Sequence, residues 1–344
     1  MQAVVRWVAS NTSPKIASTR IRVLSVIREM RAAGIDASLL SAGDTGCDVA
    51  VFCKAYSHND IALAKRLKAG GTAIVFDLCD NHFFLGEAVV GRLRQMMALA
   101  DSWIFSTPAL QAIAESYVDF RRPSQVIPDA VEPDQASWEA NPIRRIYSEF
   151  KLKWWEATSG ILVQPAHSRL IWFGNHVGSA QDSGMVQLTQ LRGRLEECAS
   201  QFGATLTIVS NSRRAYRQLT KGWKIRTFYF AWNLVTFLRV LSMHSIALMP
   251  FKQTEFNDVK SNNRLALSLF HGVAVVADSI PSYEEFAECT FLNDWGGIDR
   301  YLTDEDLRRG HVESGRAIVN ARYTPSIILS RWIPAIDSLV RNSR

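Results

Sequence analysis

The sequence has few cysteines, and they are arranged neither as a disulfide framework nor as a metal site. The five cysteines are odd in number and widely spaced along 344 residues. None of them has the short spacing that brings two zinc ligands together. Because most stand in apolar, strand-like runs, we expect reduced core thiols in a cytosolic protein. They are Cys47, Cys53, Cys79, Cys198 and Cys289.

Long apolar runs are also missing. The longest, at 228–241, is interrupted by Asn233 and Arg239 and is shorter than the roughly 20 residues that a membrane-spanning helix needs. The first residues have neither the charged segment nor the apolar core of a signal peptide. We therefore expect a cytoplasmic protein, either soluble or held peripherally at the inner face of the membrane.

Positive charge is not concentrated in any part of the chain. The net charge is +6, and no basic run is longer than a few residues. The ten tryptophans and seventeen phenylalanines are scattered and do not form the stacking platform of a single-strand-binding protein. The composition argues against a nucleic-acid partner, and it suits anionic small ligands or a membrane surface.

A glycine-rich turn after the first predicted strand is absent as well. In dehydrogenases the GxGxxG motif lets the backbone approach a dinucleotide, whereas residues 10–15 here contain no glycine. This loop and the helix start behind it carry hydrogen-bond donors instead, among them Ser13 and Arg20. A dinucleotide-binding fingerprint is excluded, and a donor-rich loop takes its place.

What the chain does have is a regular alternation of strand and helix patterns. A first series runs from a strand at 4–9 to a strand at 125–127, and a second begins with a strand near 170–173. Alternation at this spacing predicts parallel sheets covered on both faces. The length is sufficient for two such domains. We predict an α/β protein with two Rossmann-like, doubly wound domains.

The alternation stops in a stretch flanked by prolines and rich in charge and tryptophan. We place an interdomain connection there, at 134–167. The predicted domains are then 1–133 and 168–322. An amphipathic terminal helix is predicted at 323–344, because apolar residues recur there at helical spacing.

Residues 250–281 are the most informative stretch for function. A buried strand at 245–249, a polar loop, a helix at 259–271 and a strand at 273–277 make one complete βαβ unit. The loop and the predicted first helical turn are rich in cations and amides. A helix N-terminus with free backbone N–H groups in such surroundings binds phosphate. The alternative is an ordinary crossover whose polar loop faces water.

This segment resembles a stretch late in the second domain of nucleotide-sugar-dependent glycosyltransferases of GT-B fold, of the family 4-like (group 1) kind. The run IPDAV at 127–131 also resembles the signature that closes the first domain in that family. The other matching residues are Pro250, Phe256, KSNNR at 260–264, GVAVVA at 272–277 and PSYEE at 281–285.

The resemblance implies two Rossmann-like domains facing a cleft, with the terminal helix crossing back to the first domain. It implies a nucleotide diphosphate-sugar as substrate, of unspecified base, with neither a cofactor nor a metal. The second domain would bind this donor, and the first would bind a glycan, lipid-linked or other acceptor.

The leaving diphosphate must be stabilised, and cations and helix N-termini do this electrostatically. We predict that the phosphate-facing set is Lys260, Ser261, Asn262 and Arg264. Asn175 matches the "GN" loop of the family, where it would contact phosphate or sugar. Arg213, which follows the next strand, is a further candidate cation, although exposed arginines are often only surface residues.

The chain departs from the family at two places. Where many members have an Arg and a Lys just beyond the "GN" loop, this chain has His176, Gln181 and Asp182. The paired glutamates that many retaining members use around the sugar and ribose align with Val259 and Leu267. Neither side chain accepts a hydrogen bond.

Glu255 stands near the first of these positions and could substitute for the missing glutamate, with Asp258 as an equal candidate. The departures leave open a degenerate, non-catalytic copy of such an enzyme.

In the first domain, Asp77, Asp80 and His82 follow the strand predicted at 73–76. This places them at the carboxyl edge of a parallel sheet, where open α/β proteins bind ligands. Asp80 or His82 could act as the general base of an inverting transferase, with Asp77, Ser13 and Arg20 on the acceptor side. The alternative is that the two aspartates only cap the following loop. Lys54 and His58 are weaker candidates.

Cations and aromatic residues are interleaved at 144–155, a composition found at lipid interfaces. A connection that packs its tryptophans between domains is the alternative. That alternative is favoured for 144–155, because no clean amphipathic period is sustained there, and a peripheral membrane contact is left open. The resemblance favours a glycosyltransferase. It leaves open a catalytically degenerate binding or scaffold protein and, on the same architecture, a sugar-nucleotide epimerase.

Overall fold

The computed structural model describes residues 3–41, 46–176 and 184–342. Gln181 and Asp182 lie outside them. The described strands are β1 Val4–Ala9, β2 Asp36–Leu39, β3 Val49–Cys53, β4 Ala73–Leu78, β5 Ser102–Phe105, β6 Ser124–Val126, β7 Arg169–Phe173, β8 Thr205–Ser210, β9 Arg226–Ala231, β10 Ile246–Met249, β11 Ala274–Ala277 and β12 Phe291–Leu292.

Most strands are joined by helices. The described α-helices are α1 Ser25–Ala32, α2 His58–Ala69, α3 Glu87–Leu99, α4 Pro108–Ser116, α5 Pro142–Ser159, α6 Arg192–Phe202, α7 Arg213–Leu219, α8 Phe237–Ser242, α9 Asn263–Phe270, α10 Gly297–Thr303, α11 Glu305–Arg322 and α12 Pro325–Asn342. A π-helical segment, Thr19–Leu24, leads into α1, and 3₁₀ turns lie at Phe83–Leu85, Ala136–Trp138, Ile161–Val163, Ala166–Ser168, Gly184–Leu191 and Pro281–Phe286.

The chain forms two compact units. The first contains Met1–Glu132, Thr254–Asn263 and Ala321–Arg344, and the second contains Pro133–Gln253 and Arg264–Asn320. Each unit has one six-stranded sheet, and every described strand pair is parallel. Parallel strands need crossovers, which the helices supply.

The first sheet has the strand order β2-β1-β3-β4-β5-β6. Residues of β3 and β4 are all buried, because helices cover both faces of the sheet. On one face α1 packs with the terminal helix α12, whose Trp332 lies 6.0 Å from Trp7 between ring centroids. The predicted return of the terminal helix to the first domain is therefore confirmed.

Side-chain caps fix where two helices of this unit begin. Ser57 and Asp60 form a capping box at the start of α2, and Thr107 accepts a hydrogen bond from the Leu110 amide at the start of α4. Both arrangements satisfy amide groups that the helix leaves free. They hold α2 and α4 behind the carboxyl ends of β3 and β5.

The second sheet has the order β12-β11-β10-β7-β8-β9. The chain winds from β7 through β8 to β9 in one direction and continues from β10 in the other, so the winding reverses between β7 and β10. In the first sheet the corresponding reversal lies between β1 and β3. Open α/β sheets bind ligands at the carboxyl ends of the strands beside such a reversal, so these two edges are where functional residues are expected.

The structure differs from the predicted organisation in two respects. Most of the segment 134–167, predicted as a connection, is the long helix α5 with flanking 3₁₀ turns, and it belongs to the second unit. The predicted helix at 259–271 begins only at Asn263, since residues 254–262 are part of the first unit and make their hydrogen bonds there.

Candidate functional site

A buried ion network occupies the carboxyl edge of the first sheet. Arg22 donates from Nε to both carboxylate oxygens of Asp77, each at 3.0 Å, and from Nη1 to Asp129 and to the Ile127 carbonyl at 3.0 and 2.9 Å. Burial lowers the pKa of Arg22, but the two carboxylates outweigh this effect and raise the pKa well above its ordinary value. Asp77, predicted on the acceptor side, is fully buried and holds this edge together.

Arg20 is also a buried structural residue. It forms a two-point ion pair with Glu132, with 2.8 Å from Nη2 to Oε2, and donates from Nη1 to the Pro14 carbonyl at 2.7 Å. Ser13 lies in the same loop, where its hydroxyl accepts from the Lys15 amide. The loop after β1 is thus fixed by these donors, and Arg20 does not face an acceptor as predicted.

A more accessible cluster surrounds Asp80, just beyond β4. Lys54, at the end of β3, is ion-paired with Asp80 Oδ2, and Lys260 Nζ lies 3.7 Å from Oδ1. Burial raises the pKa of Asp80, but the two lysines outweigh burial and hold it below its ordinary value. The three side chains are only 18 to 30% exposed, so this is a partly desolvated group of two cations and one anion.

The backbone at Lys54 supports a functional interpretation of this cluster. Lys54 has a φ of 53°, in the left-handed region that a residue other than glycine adopts only at some cost. Its amide donates to the Asp77 carbonyl at 2.9 Å. The strained residue therefore stands at the reversal of the first sheet.

His82 lies beside this cluster and is paired with Tyr56, whose hydroxyl is 2.7 Å from Nδ1. Burial, followed by the charge of Lys54, lowers the pKa of His82 below 6.5, against the opposing effect of Asp80. The imidazole is consequently neutral at pH 7. A neutral imidazole can accept a proton, whereas the ion-paired Asp80 is a weak base.

The segment Thr254–Asn263 is fastened to the first unit at several points. Asn81 donates to the Glu255 carbonyl at 3.1 Å, Thr107 donates to the Val259 carbonyl at 2.9 Å, and Val259 lies in the hydrophobic core. The Glu255 side chain is exposed and makes no hydrogen bond with the described residues. Glu255 is therefore held to the first unit through its backbone, and its contacts give no support to its predicted catalytic role.

The predicted phosphate-facing set has its described contacts divided between the two units. Lys260 pairs with Asp80 and lies 3.9 Å from the Phe256 ring centroid, and Ser261 donates to Asp129 at 2.6 Å, all within the first unit. Asn262 is buried at 3% exposure. Arg264, in contrast, makes its contacts in the second unit. The pattern predicted one helix start, but α9 begins after most of these residues.

Arg264 lies at the carboxyl end of β7. Its Nη1 donates to the Phe173 carbonyl at 2.9 Å, and its guanidinium carbon lies 5.0 Å from the ring centroid of Phe251. Burial raises the pKa of nearby Tyr283 to about 12, against the opposing charge of Arg264. The other terminal nitrogen, Nη2, is buried and has no hydrogen-bond partner among the described residues. A buried donor nitrogen without an acceptor is costly unless a ligand supplies the acceptor.

The loop after β7 begins with Gly174, which lies beside Arg264. A Cβ on Gly174 would lie 3.0 Å from Arg264 Nη1 and from the Trp172 ring, so only glycine leaves the guanidinium its place. Asn211, after β8, fixes the position of His176 in this loop. Its Oδ1 accepts from the His176 amide at 2.8 Å, and its Nδ2 donates to the His176 carbonyl at 3.2 Å.

Two further predicted donor residues are exposed. Asn175 is exposed in this loop, and Arg213 is exposed as the first residue of α7; neither side chain hydrogen-bonds to a described residue. Sequence reasoning did not select Asn211, Arg22 or Tyr56. A polar residue directly after a strand was the only signal for Asn211.

Within 3–41, 46–176 and 184–342, no group of three or more His, Cys, Asp and Glu side chains could hold a metal ion. No helix in those ranges has the length and apolar character needed to cross a membrane.

Comparison with known proteins shows similarity in structure only. No family model and no curated protein matches the chain. Among solved structures, HepE of Anabaena in complex with UDP has a TM-score of 0.68 at 13% identity, over 97% of this chain and 100% of that one. A sucrose-phosphate synthase of Thermosynechococcus elongatus has 0.67 at 12%, over 99% and 100%.

A glycosyltransferase of Rickettsia africae has a TM-score of 0.68 at 11% identity, over 99% of both chains. At these identities the similarity shows a shared fold. The predicted α/β class with two doubly wound sheets is confirmed, and the chain has the GT-B fold of these glycosyltransferases.

Proposed function

We propose that the protein is a glycosyltransferase that moves a sugar from a nucleotide diphosphate donor to an acceptor. The observation that carries this proposal is Arg264, a half-buried residue at the reversal of the second sheet, whose buried Nη2 has no hydrogen-bond partner among the described residues. The fold is shared with HepE, which has been crystallised with UDP and with UDP-glucose. We infer that the second unit binds the donor.

Arg264 would hold the diphosphate. Its Nη1 is used by the Phe173 carbonyl, which fixes the guanidinium plane and leaves Nη2 for a phosphate oxygen. A preorganised cation of this kind stabilises the negative charge that grows on the leaving group. Asn175 and Arg213, exposed on neighbouring loops, would add donors from the same edge of the sheet.

The first unit would receive the acceptor beside the Asp80 cluster. His82 is neutral at pH 7 because burial lowers its pKa, so it is the better proton acceptor for an acceptor hydroxyl. Asp80, held as an anion by Lys54 and Lys260, would orient the hydroxyl and remain ionised. The acceptor would be a glycan or a lipid-linked sugar.

The cellular setting would be reducing and cytoplasmic. All five cysteines are free thiols, which supports such a setting.

A second candidate is a binding protein derived from such an enzyme. Val259 and Leu267 occupy the positions of the family's paired glutamates, and both are buried at 1% and 3% exposure. Val259 packs in the core of the first unit, so neither position faces a ligand. This observation favours a protein that keeps nucleotide binding and loses transfer.

Product analysis separates these functions. The protein is incubated with UDP-glucose, GDP-mannose or dTDP-rhamnose, each alone and with a glycan extract, and products are resolved by mass spectrometry. Transfer, or slow release of nucleotide diphosphate, supports the enzyme. Binding without any product supports the scaffold, and an isomerised nucleotide sugar without acceptor would identify an epimerase. Absence of both binding and product would contradict the proposal.

A further inference from the structure

Seven of the ten large apolar side chains that are exposed among the described residues lie between 143 and 163. Five of them are on α5 and two on the 3₁₀ turn that follows. We call these five the α5 stripe: Ile143, Ile146, Tyr147, Phe150 and Trp154, with exposures of 75, 70, 56, 64 and 61%. Leu162 and Val163 extend it, at 52 and 84%. A patch of this kind marks an interaction surface.

The stripe faces away from the unit that holds α5. Its residues recur at intervals of three and four, which places them on one narrow face of the helix. Leu152 and Trp155 are on the other side and are buried, and Trp155 packs edge-on against Phe230 at 5.1 Å. The helix therefore has a packed face and, opposite to it, an apolar face without a described partner.

Positive charge flanks the stripe. Arg144, Lys151 and Lys153 are exposed beside the stripe, whereas Arg145 is exposed towards the opposite side of the helix. Lys151 Nζ lies 4.3 Å from the Tyr147 ring centroid. Both acids of the helix are already neutralised: Glu149 pairs with Arg239 at 2.6 Å, and Glu156 pairs with Lys153 at 3.2 Å.

We propose that the α5 stripe lies in the surface of an anionic lipid bilayer. Basic side chains beside an apolar face with Trp and Phe suit such an interface, where lysine and arginine extend their charges to the headgroups. Antiparallel pairing with a second copy would bring Arg144 towards Lys151 and Lys153, and like charges would repel. The inference stands on α5 alone and does not require glycosyl transfer.

The test is co-flotation with vesicles of phosphatidylcholine, with and without phosphatidylglycerol. Each basic residue near an anionic surface strengthens binding about fivefold. The triple variant R144Q/K151Q/K153Q should therefore bind anionic vesicles about a hundredfold more weakly than the wild type. The variant I146S/F150S/W154S should lose binding, while both keep the wild-type urea midpoint because every changed side chain is exposed.

A matched control removes three exposed charges elsewhere. R31Q/K65Q/R66Q lies on α1 and α2 and should bind vesicles like the wild type. The proposal is overturned if the wild type does not float with anionic vesicles, or if the control loses binding as much as R144Q/K151Q/K153Q. It is also overturned if I146S/F150S/W154S converts a wild-type dimer to a monomer without changing flotation, because the stripe would then bind a second copy.

Discussion

Arg22 shows how much of the first unit's carboxyl edge depends on one side chain. It is 2% exposed and is shared by Asp77 and Asp129. Removing one partner of a buried ion pair leaves the other charge unsatisfied. From sequence, an aspartate directly after a strand could belong to a ligand site. In the structure, Asp77 is instead paired with the structural cation Arg22.

Arg22→Met should therefore lower the free energy of unfolding by about 3 to 5 kcal/mol, measured by urea denaturation at pH 7. Arg28→Met is the control, because Arg28 is exposed and its contact with Glu29 is at the surface; its effect should stay within about 0.5 kcal/mol. Equal effects of the two changes would contradict the assigned network.

Asp80 gives a pH-dependent prediction. Its pKa is lower than the ordinary value in the fold, so its ion pairs stabilise the protein above about pH 4 and lose that contribution as the pH falls further. Lys54→Met should cost about 2 kcal/mol at pH 7. The difference in free energy of unfolding between Lys54→Met and the wild type, measured by urea denaturation, should shrink as the pH falls towards 3.

Lys68→Met is the matched control for this experiment. Lys68 pairs with Asp101 at 2.6 Å, but both side chains are more than one-third exposed, so the change should cost no more than about 1 kcal/mol. A Lys54→Met deficit that is the same at pH 7 and pH 3 would show that the ion pair with Asp80 is not its cause.

At the scale of elements, α11 offers two glycines in contrasting surroundings. A Cβ on Gly315 would lie 2.6 Å from Leu269 of α9, whereas a Cβ on Gly310 would meet nothing within 4 Å. Of these two glycines, Gly315 is the one at which α11 packs closely on α9. The α9 helix carries Arg264 at its start, so this packing also supports the proposed donor site.

Gly315→Ala should destabilise the protein by about 1 to 3 kcal/mol, because overpacking forces Leu269 or the helix to move. Gly310→Ala should stabilise it by up to about 1 kcal/mol, since alanine is the better helix former. Thermal unfolding of both variants, one turn and a half apart on the same helix, measures the difference. Stabilisation by Gly315→Ala would contradict the described packing.

Sequence periodicity predicted several elements closely; the first strand, expected at 4–9, is β1 at the same bounds. It failed for α5, because that helix has two apolar faces, one packed and one exposed, and so lacks a single amphipathic pattern. It also placed the start of α9 too early, because the hydrogen bonds of 254–262 are made by distant residues such as Asn81 and Thr107.

At the scale of the whole molecule, the alternation of strands and helices was sufficient to predict two doubly wound sheets. Assignment of Thr254–Asn263 to the first unit was not predictable, because it rests on tertiary contacts. For the same reason the sequence grouped Lys260 with Arg264, although their contacts lie in different units. The candidate residues were found by type and position, while their partners required the structure.

The terminal helix tests the assembly of the first unit. Trp332 is 1% exposed and packs with Trp7 in the core shared by α1 and α12. Trp332→Ala should lower the free energy of unfolding by about 3 to 5 kcal/mol in urea denaturation. Trp154→Ala, at an exposed tryptophan, should change the free energy of unfolding by less than about 0.5 kcal/mol. Equal losses in the two variants would contradict the assigned burial of Trp332.

The central claim, that Arg264 holds a nucleotide diphosphate, is tested most directly by calorimetric titration with UDP, GDP and dTDP. We predict binding of one of them by the wild type, retained in part by Arg264→Lys and weakened about tenfold or more by Arg264→Gln, since a charge-assisted hydrogen bond contributes about 1.5 to 3 kcal/mol. Lys65→Gln, exposed on α2, should bind like the wild type. Unchanged affinity in a folded Arg264→Gln protein, or no binding of any diphosphate by the wild type, would contradict the claim.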